Sequence, residues 1–439
     1  MLIEFSVGNF WSFREVETLQ MQAAKISSEN KELDERNVIT VSDDLKLLKT
    51  KAIFGANASG KSNVFRAILA MLHIIDKSLS DEEILAKNII PFGLDYESAQ
   101  EPTFFQIVFV LNETIYRYGF EASRTEIFSE WLFAKQLNPN ESTIEKYLFK
   151  RSGLDIKINP LTLSEAKDFK KFENVPLYRS NSLFLAVLAA WNRPIVKAIH
   201  QYFRQDYFAN PGLSDSVSWN IAVQESRNSN VRKRILKLLQ SADPTIENID
   251  LYELDETNES FLKVDDSSSS HRKEQKENPA VLLFRKGRKE DEFFPLELHA
   301  QEAEGTKKLF GLSPFIFKSL ERGGVFFIDE FDARLHPKLT RKIIDLYHNP
   351  ETNPHNAQLI FISHDTNLLD RNLLRRDQIC FANKKKNGVT ELYSLVEIKG
   401  VRNDASYEKD YLRGKYRAVP NNLNVLEDSL KDLYNAEED

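Results

Sequence analysis

Apolar and polar positions alternate with period two at the start of the chain. Leu2, Ile3, Phe5 and Val7 precede a polar break at Gly8-Asn9, and Phe10-Trp11-Ser12-Phe13 then leads into Val16, Leu19 and Met21. This pattern predicts a strand pair over residues 2–24. The run Lys51-Ala52-Ile53-Phe54 reads as a buried strand and gives way to helical spacing over 63–75. A second β-rich block covers 103–110, 115–120 and 131–134, with Asn112-Glu113 as a turn. From about 162 to 241 the period is helical, most clearly at 183–189 and 231–239, but too short and irregular in its heptads for a long coiled coil. Strand patterns return at 249–254, 324–328 and 358–362, and the serine-rich stretch 265–278 reads as a polar loop.

The junction between the run 51–54 and its following helix is Gly55-Ala56-Asn57-Ala58-Ser59-Gly60-Lys61-Ser62, which has every fixed position of a phosphate-binding loop. The glycines let the backbone turn its N–H groups toward phosphates, Lys61 can reach the β- and γ-phosphates, and Ser62 can hold Mg²⁺. Far downstream, the strand 324–328 ends in Asp329-Glu330, the pattern of a Walker B element. Asp329 would hold Mg²⁺ and Glu330 would polarise the attacking water. Alone, the acidic pair is equally well a solvated turn at a strand end; the phosphate loop upstream favours the chemical reading. The strand 358–362 ends in Ser363-His364-Asp365. His364 is either a core side chain or a switch residue at the γ-phosphate, and its place one strand after Asp329-Glu330 favours the second. Three strands would then end at the ligand edge of a doubly wound α/β sheet.

Further segments extend the pattern: Asn9-Phe10-Trp11-Ser12-Phe13, Asn181-Ser182-Leu183-Phe184-Leu185, Glu304-Gly305-Thr306-Lys307-Lys308-Leu309, Phe331-Asp332-Ala333-Arg334-Leu335-His336-Pro337, Arg375-Arg376-Asp377-Gln378-Ile379, Val401-Arg402-Asn403-Asp404 and Tyr411-Leu412-Arg413-Gly414-Lys415-Tyr416. With the phosphate loop they resemble the ATP-binding-cassette (ABC) ATPases of the SMC, Rad50, RecF and OLD branch. The resemblance is closer to the AbiLi- and RloA-type ATPases of anti-phage abortive-infection loci, with PARIS AriA and Septu PtuA as relatives. It implies an α/β fold, a P-loop NTPase of ABC-ATPase head type with an antiparallel β lobe and an inserted helical lobe. The head would occupy 1–161 and 249–400 around a helical lobe at 162–248, followed by a tail, 401–439.

The resemblance also implies ATP with Mg²⁺, and a homodimer, or higher oligomer, whose heads sandwich two ATP molecules. A signature segment of one subunit would cap the γ-phosphate held by the other. Residues 301–306 stand at that place, with Gly305 and Thr306 as the contacts, ahead of a helix expected over 307–317 whose amides would face an anion. The bland alternative is a helix cap with no ligand. Ala303 replaces the serine usual in relatives, which points to slow hydrolysis or an ATP-held state. Asp332 matches the dimer-seam aspartate. Gln106 and Asn181 are both candidates for the Mg²⁺-sensing amide.

Composition narrows the picture. The chain has 439 residues, 41% hydrophobic and 28% charged, with net charge −7 and a single cysteine, Cys380. That excludes an internal disulfide or cysteine-based zinc site. No apolar run is long enough for a membrane span, so a cytoplasmic protein with no membrane partner is expected. The net charge gives no footprint for DNA. Lys384-Lys385-Lys386-Asn387-Gly388 reads better as a hairpin turn than as a phosphate contact, and Arg413, Lys415 and Arg417 with Tyr411 and Tyr416 better as solvated surface than as a nucleic-acid patch. Leu426, Leu430 and Leu433 fit a helix that docks on its own core or on a partner. The favoured reading is an ATPase switch in anti-phage defence that controls a separate effector. The alternatives are a Rad50- or RecF-like DNA-repair clamp, disfavoured by charge and by the missing coiled coil, and an ATP-locked scaffold, supported by Ala303.

Overall fold

Alternation at the start of the chain becomes an antiparallel sheet. β1 (Leu2–Gly8) pairs with β2 (Glu17–Gln20), and the turn between them closes through reciprocal 2.8 Å backbone bonds of Phe10 and Phe13. After α1 (Lys31–Asn37) and the small hairpin β3 (Val38–Thr40) and β4 (Lys46–Leu48) come β5 (Thr50–Phe54), α2 (Lys61–Lys77) and α3 (Ile84–Asn88). The strands β6 (Thr103–Leu111), β7 (Thr114–Ala122), β8 (Ile127–Gln136), β9 (Lys146–Ser152) and β10 (Asp155–Ile158) complete a sheet of order β10-β9-β8-β7-β6-β1-β2. The β6–β7 turn places Asn112 and Glu113 both at positive φ, 49° and 58°. That is the mirror-image turn that matches strand twist, here achieved without glycine. Two helices follow, α4 (Phe184–Ala190) and α5 (Pro194–Gln205). Phe109 on the sheet meets Tyr202 and Phe203 of α5 at ring distances of 5.2 and 5.0 Å.

The chain then enters a second compact unit, Phe208–Ala357, inserted between Met1–Tyr207 and Gln358–Asp439 of the first. β11 (Tyr207–Asn210) leads in, followed by α6 (Ser216–Ser226), α7 (Ser229–Ala242) and the antiparallel strands β12 (Ile246–Tyr252), β13 (Ala280–Lys286) and β14 (Phe293–Glu297). A short helix α8 (Leu298–Gln301) precedes α9 (Glu304–Arg322), β15 (Val325–Ile328) and α10 (Pro337–His348). Trp219 of α6 packs on Phe310 of α9 at 4.9 Å, tying the helices of this unit together.

Back in the first unit, β16 (Gln358–Ile362) lies parallel to β5 with Ile362 opposite Ile53. β17 (Ile379–Lys384) is parallel on the other side of β5, and β18 (Thr390–Ser394) returns antiparallel to β17. Every residue of β5 and β16 is buried, including the polar Thr50, Lys51 and Gln358, as strands of a parallel pair covered on both faces should be. A last helix, α11 (Tyr407–Leu412), follows.

The structure, a computed structural model, describes residues 1–138, 144–166, 168, 178–212, 216–252, 279–287, 292–402 and 404–420. The expected loop at 265–278, the end of the strand expected at 249–254 and the leucine spacing after 423 lie outside them. Among the described residues no helix is long and apolar enough to cross a membrane.

The division into units differs from the lobe expected at 162–248. α4 and α5 belong to the first unit, and the insert begins only at Phe208 and reaches Ala357. Helical spacing identifies the helices but not the core that covers them. The stripe Val196, Ile199, Tyr202 and Phe203 is buried in the first unit. The Lys384–Gly388 segment is a hairpin turn, with Gly388 at φ 82°. Tyr411 and Tyr416 are not surface residues: both rings pack on Phe381, at 5.6 and 5.4 Å, while Arg413, Lys415 and Arg417 stay exposed.

Candidate nucleotide site

The phosphate loop connects β5 to α2, as its sequence requires. Gly60 sits at φ 100° and Ala58 at φ 60°, both left-handed. Gly60 is also pressed against neighbours: a Cβ would collide with Thr390 Oγ1 and Ser12 Oγ. A Cβ on Gly55 would strike the Ala382 carbonyl and Ser59 Oγ. Gly60 is the N-cap of α2 and offers no capping side chain, so the first amides of the helix depend on an outside acceptor. Lys61 is buried, and its Nζ donates to the Gly55 and Ala56 carbonyls, each at 2.8 Å. Ser59 Oγ is buried with no hydrogen-bond partner. An orphaned hydroxyl, uncapped helical amides and a lysine curled over the same loop form a donor set that fits the phosphates of a nucleotide.

Three residues outside the motif hold this loop. Thr390 Oγ1 on β18 lies 2.8 Å from the Ser59 carbonyl and 2.8 Å from Ser12 Oγ, and Asn63 Nδ2 on α2 donates to Ser12 Oγ at 2.6 Å. The Thr390 amide also donates to the Ser12 carbonyl. Sequence reasoning missed Thr390 and Asn63, which carry no motif.

His364 follows β16, and the Ser363 amide donates to the Ile53 carbonyl at 3.2 Å. The imidazole residue therefore stands at the sheet edge where β5 passes into the phosphate loop. It is exposed, which removes the core alternative.

In the inserted unit, β15 is wholly buried and ends at Asp329, itself 7% exposed. The Asp329 amide donates to the Asn210 carbonyl at 3.1 Å, and its Oδ1 accepts from the Glu330 amide at 2.9 Å. Glu330 is at φ 43°, a conformation that costs a non-glycine residue free energy and persists only where its surroundings enforce it. Lys308 of α9 holds this residue, donating to the Glu330 carbonyl at 2.6 Å. Burial pushes the Lys308 pKa down to about 8, against the attraction of Asp332, Glu330 and Asp329. The sequence places Lys308 within the segment 304–309 and gives no sign of this role.

The helix expected from Lys307 starts earlier. Ala303 is the N-cap of α9, and Gly305 and Thr306 lie in its first turn. Alanine has no oxygen to cap these amides, and the first backbone bond of the helix runs from the Lys307 amide to the Ala303 carbonyl at 3.1 Å. Gly305 is close-packed: a Cβ would stand 2.7 Å from the Arg334 carbonyl. Arg334, at φ 64°, forms an ion pair with Glu304. The candidate signature turn and the turn after Asp332 are thus clasped together. Of the two candidates for the Mg²⁺-sensing amide, Gln106 accepts from Trp131 Nε1 and Asn181 donates to the Glu82 carbonyl.

Residues 52–370 match a family model described as "AAA domain, putative AbiEii toxin, Type IV TA system". The chain belongs to this AAA family. The match takes in the phosphate loop, Asp329, Glu330 and His364 of this AAA protein alike. Among solved structures, it is similar to an SMC head domain from Thermotoga maritima at 14% identity, over 90% of this chain and 98% of that one, with a TM-score of 0.38. An SMC head bound to the C-winged helix domain of ScpA matches at 15% identity, over 90% and 97%, with a TM-score of 0.39. No curated protein matches the chain.

Proposed function

We propose that this AAA protein is an ATPase that converts ATP and water to ADP and phosphate, and that its nucleotide state switches a separate effector in anti-phage defence. The observation that carries the ATPase reading is the loop itself, a strand-to-helix connection with left-handed Gly60, an unpartnered Ser59 hydroxyl and a buried Lys61. Lys61 binds the β- and γ-phosphates, and Ser62 and Asp329 would hold Mg²⁺, which when bound neutralises phosphate charge. Glu330 takes the proton of the attacking water, and His364 meets the γ-phosphate. Gly305, Thr306 and Asp332 act across a head dimer. The defence role rests on the family description, which names a toxin of a toxin–antitoxin system, and on the resemblance to AbiLi- and RloA-type ATPases.

The test is ATP turnover by the purified protein together with phage challenge of cells carrying it and its genomic neighbours. The expected result is turnover lost in Lys61→Ala and Glu330→Gln, with protection lost in the same variants. Turnover unchanged in both would overturn the ATPase reading; protection retained without turnover would overturn the switch.

A further inference from the structure

The first unit contains a cavity of about 400 Å³ that the nucleotide reading leaves unused. It is lined by Ser27 and Glu29 ahead of α1, Arg371 and Asn372 after β16, Arg376 just before β17, and Tyr407 on α11. β17 runs parallel to β5, so Arg376 marks the strand-start side of the sheet, opposite the edge that carries the phosphate loop.

The lining is rich in donors and carries two guanidinium groups against one carboxylate. Arg371 Nη1 comes within 3.0 Å of Glu29 Oε2, but the approach lacks hydrogen-bond geometry, and this buried nitrogen has no hydrogen-bond partner. Arg376 spends one donor on the Val401 carbonyl at 2.6 Å, which fixes its side chain and leaves the rest of its five-donor fork for other acceptors. Tyr407 is buried at the wall. Burial raises its pKa, Arg376 and Arg371 pull it down, and Asp377 and Glu29 push it up. Arg371 is 37% exposed and its carboxylate partner 62% exposed, so the pair is open to exchange, and a planar oxyanion is the acceptor that a guanidinium fork fits best. The volume lies in the range of small-molecule sites.

We propose that this cavity binds a small organic oxyanion, a phosphate- or carboxylate-bearing molecule, gripped by Arg371 and Arg376 in competition with Glu29. Tyr407 connects it to the nucleotide edge through α11. Four residues further along that helix, Tyr411 stacks on Phe381 at 5.6 Å and contacts the Phe54 ring at 6.5 Å, immediately before Gly55.

The experiment is isothermal titration of the full chain carrying Lys61→Ala, which weakens the phosphate loop, with inorganic phosphate and, separately, malonate. One saturable site is expected, weakened about tenfold or more by Arg371→Gln with Arg376→Gln, the loss of charge-assisted hydrogen bonds. Phosphate binding alone would identify a phosphate-bearing ligand, malonate binding alone a carboxylate-bearing one, and binding of both their shared chemistry. Glu29→Gln removes the competing carboxylate and should tighten binding, and it decides the matter if the arginine variant does not fold. No saturable site, a site untouched by the arginine substitutions, or a site weakened by Glu29→Gln would overturn the proposal. Because Lys61 is already replaced, failure here leaves the ATPase reading standing.

Discussion

At the scale of single residues, Ala303 separates two roles that coincide in a serine. As N-cap of α9 it leaves the amides of Gly305 and Thr306 without a side-chain acceptor. Ala303→Ser should therefore raise stability by about 0.5–2 kcal/mol in urea unfolding without nucleotide, the ordinary worth of a cap. If the segment also meets a γ-phosphate, turnover or ATP-driven closure should rise as well; a stability gain with unchanged kinetics would make Gly305 and Thr306 a cap only. Thr390 poses the complementary question. Thr390→Val removes the contacts to Ser59 and Ser12, at a cost of about 0.5–1.5 kcal/mol of stability, and should weaken ATP binding while leaving the fold intact. Unchanged affinity would show that the loop holds its shape without this buttress. The contrast shows what the sequence carries. Gly55, Lys61 and Ser62 are legible because the chemistry fixes their spacing along the chain. Ser12, Asn63 and Thr390 meet only in space: no local pattern marks Asn63 or Thr390, and the segment 9–13 marks Ser12 without pairing it with either.

At the scale of elements, the start of α4 depends on charge buried in the neighbouring sheet. Glu130 of β8 accepts from the Phe184 and Leu185 amides at 2.6 and 2.9 Å and from Tyr118 at 3.0 Å, and lies 3.5 Å from Arg151. Both charged side chains are fully buried. Burial pushes the Glu130 pKa up, and the arginine, the two amides and the tyrosine push it back. Glu130→Ala would leave two helix amides without an acceptor and the Arg151 charge without its carboxylate, though still bonded to the Gly153, Ser180 and Ser182 carbonyls, and breaking a buried pair in this way costs about 3–5 kcal/mol; thermal unfolding should show it as a large loss. A loss near the surface-substitution level would mean that the network relaxes around water. Period-two runs announced β6 to β8, and 3.6-residue runs announced α4 and α7. The same patterns could not place α5 against Phe109 rather than in a separate lobe, because a helical stripe specifies that a face is buried and not which partner buries it.

At the scale of the whole molecule, the chain leaves the first unit at Tyr207 and returns at Gln358, with the phosphate loop before this excursion and Asp329 and Glu330 inside it. Sequence legibility follows that route: each strand end was readable because acidic or glycine-rich residues interrupt an apolar run, whereas the extent of the excursion was not, since no composition change marks Tyr207 or Ala357. The proposed closure of two heads around ATP is a property of the assembled protein, and blocking hydrolysis should reveal it. Glu330→Gln removes the base but leaves Lys61, Ser62 and Asp329 to bind nucleotide, so ATP with Mg²⁺ should hold this variant as a dimer or larger assembly. Light scattering on a sizing column measures the mass directly. It should double or rise further on adding ATP with Mg²⁺, and fall back when EDTA strips the metal, because Mg²⁺ is needed to neutralise phosphate charge at the seam. A mass that ignores ATP would remove the dimer from the mechanism and leave Gly305, Thr306 and Asp332 with structural roles alone. An assembly that survives EDTA would instead mean that the chains associate through a surface that nucleotide does not control.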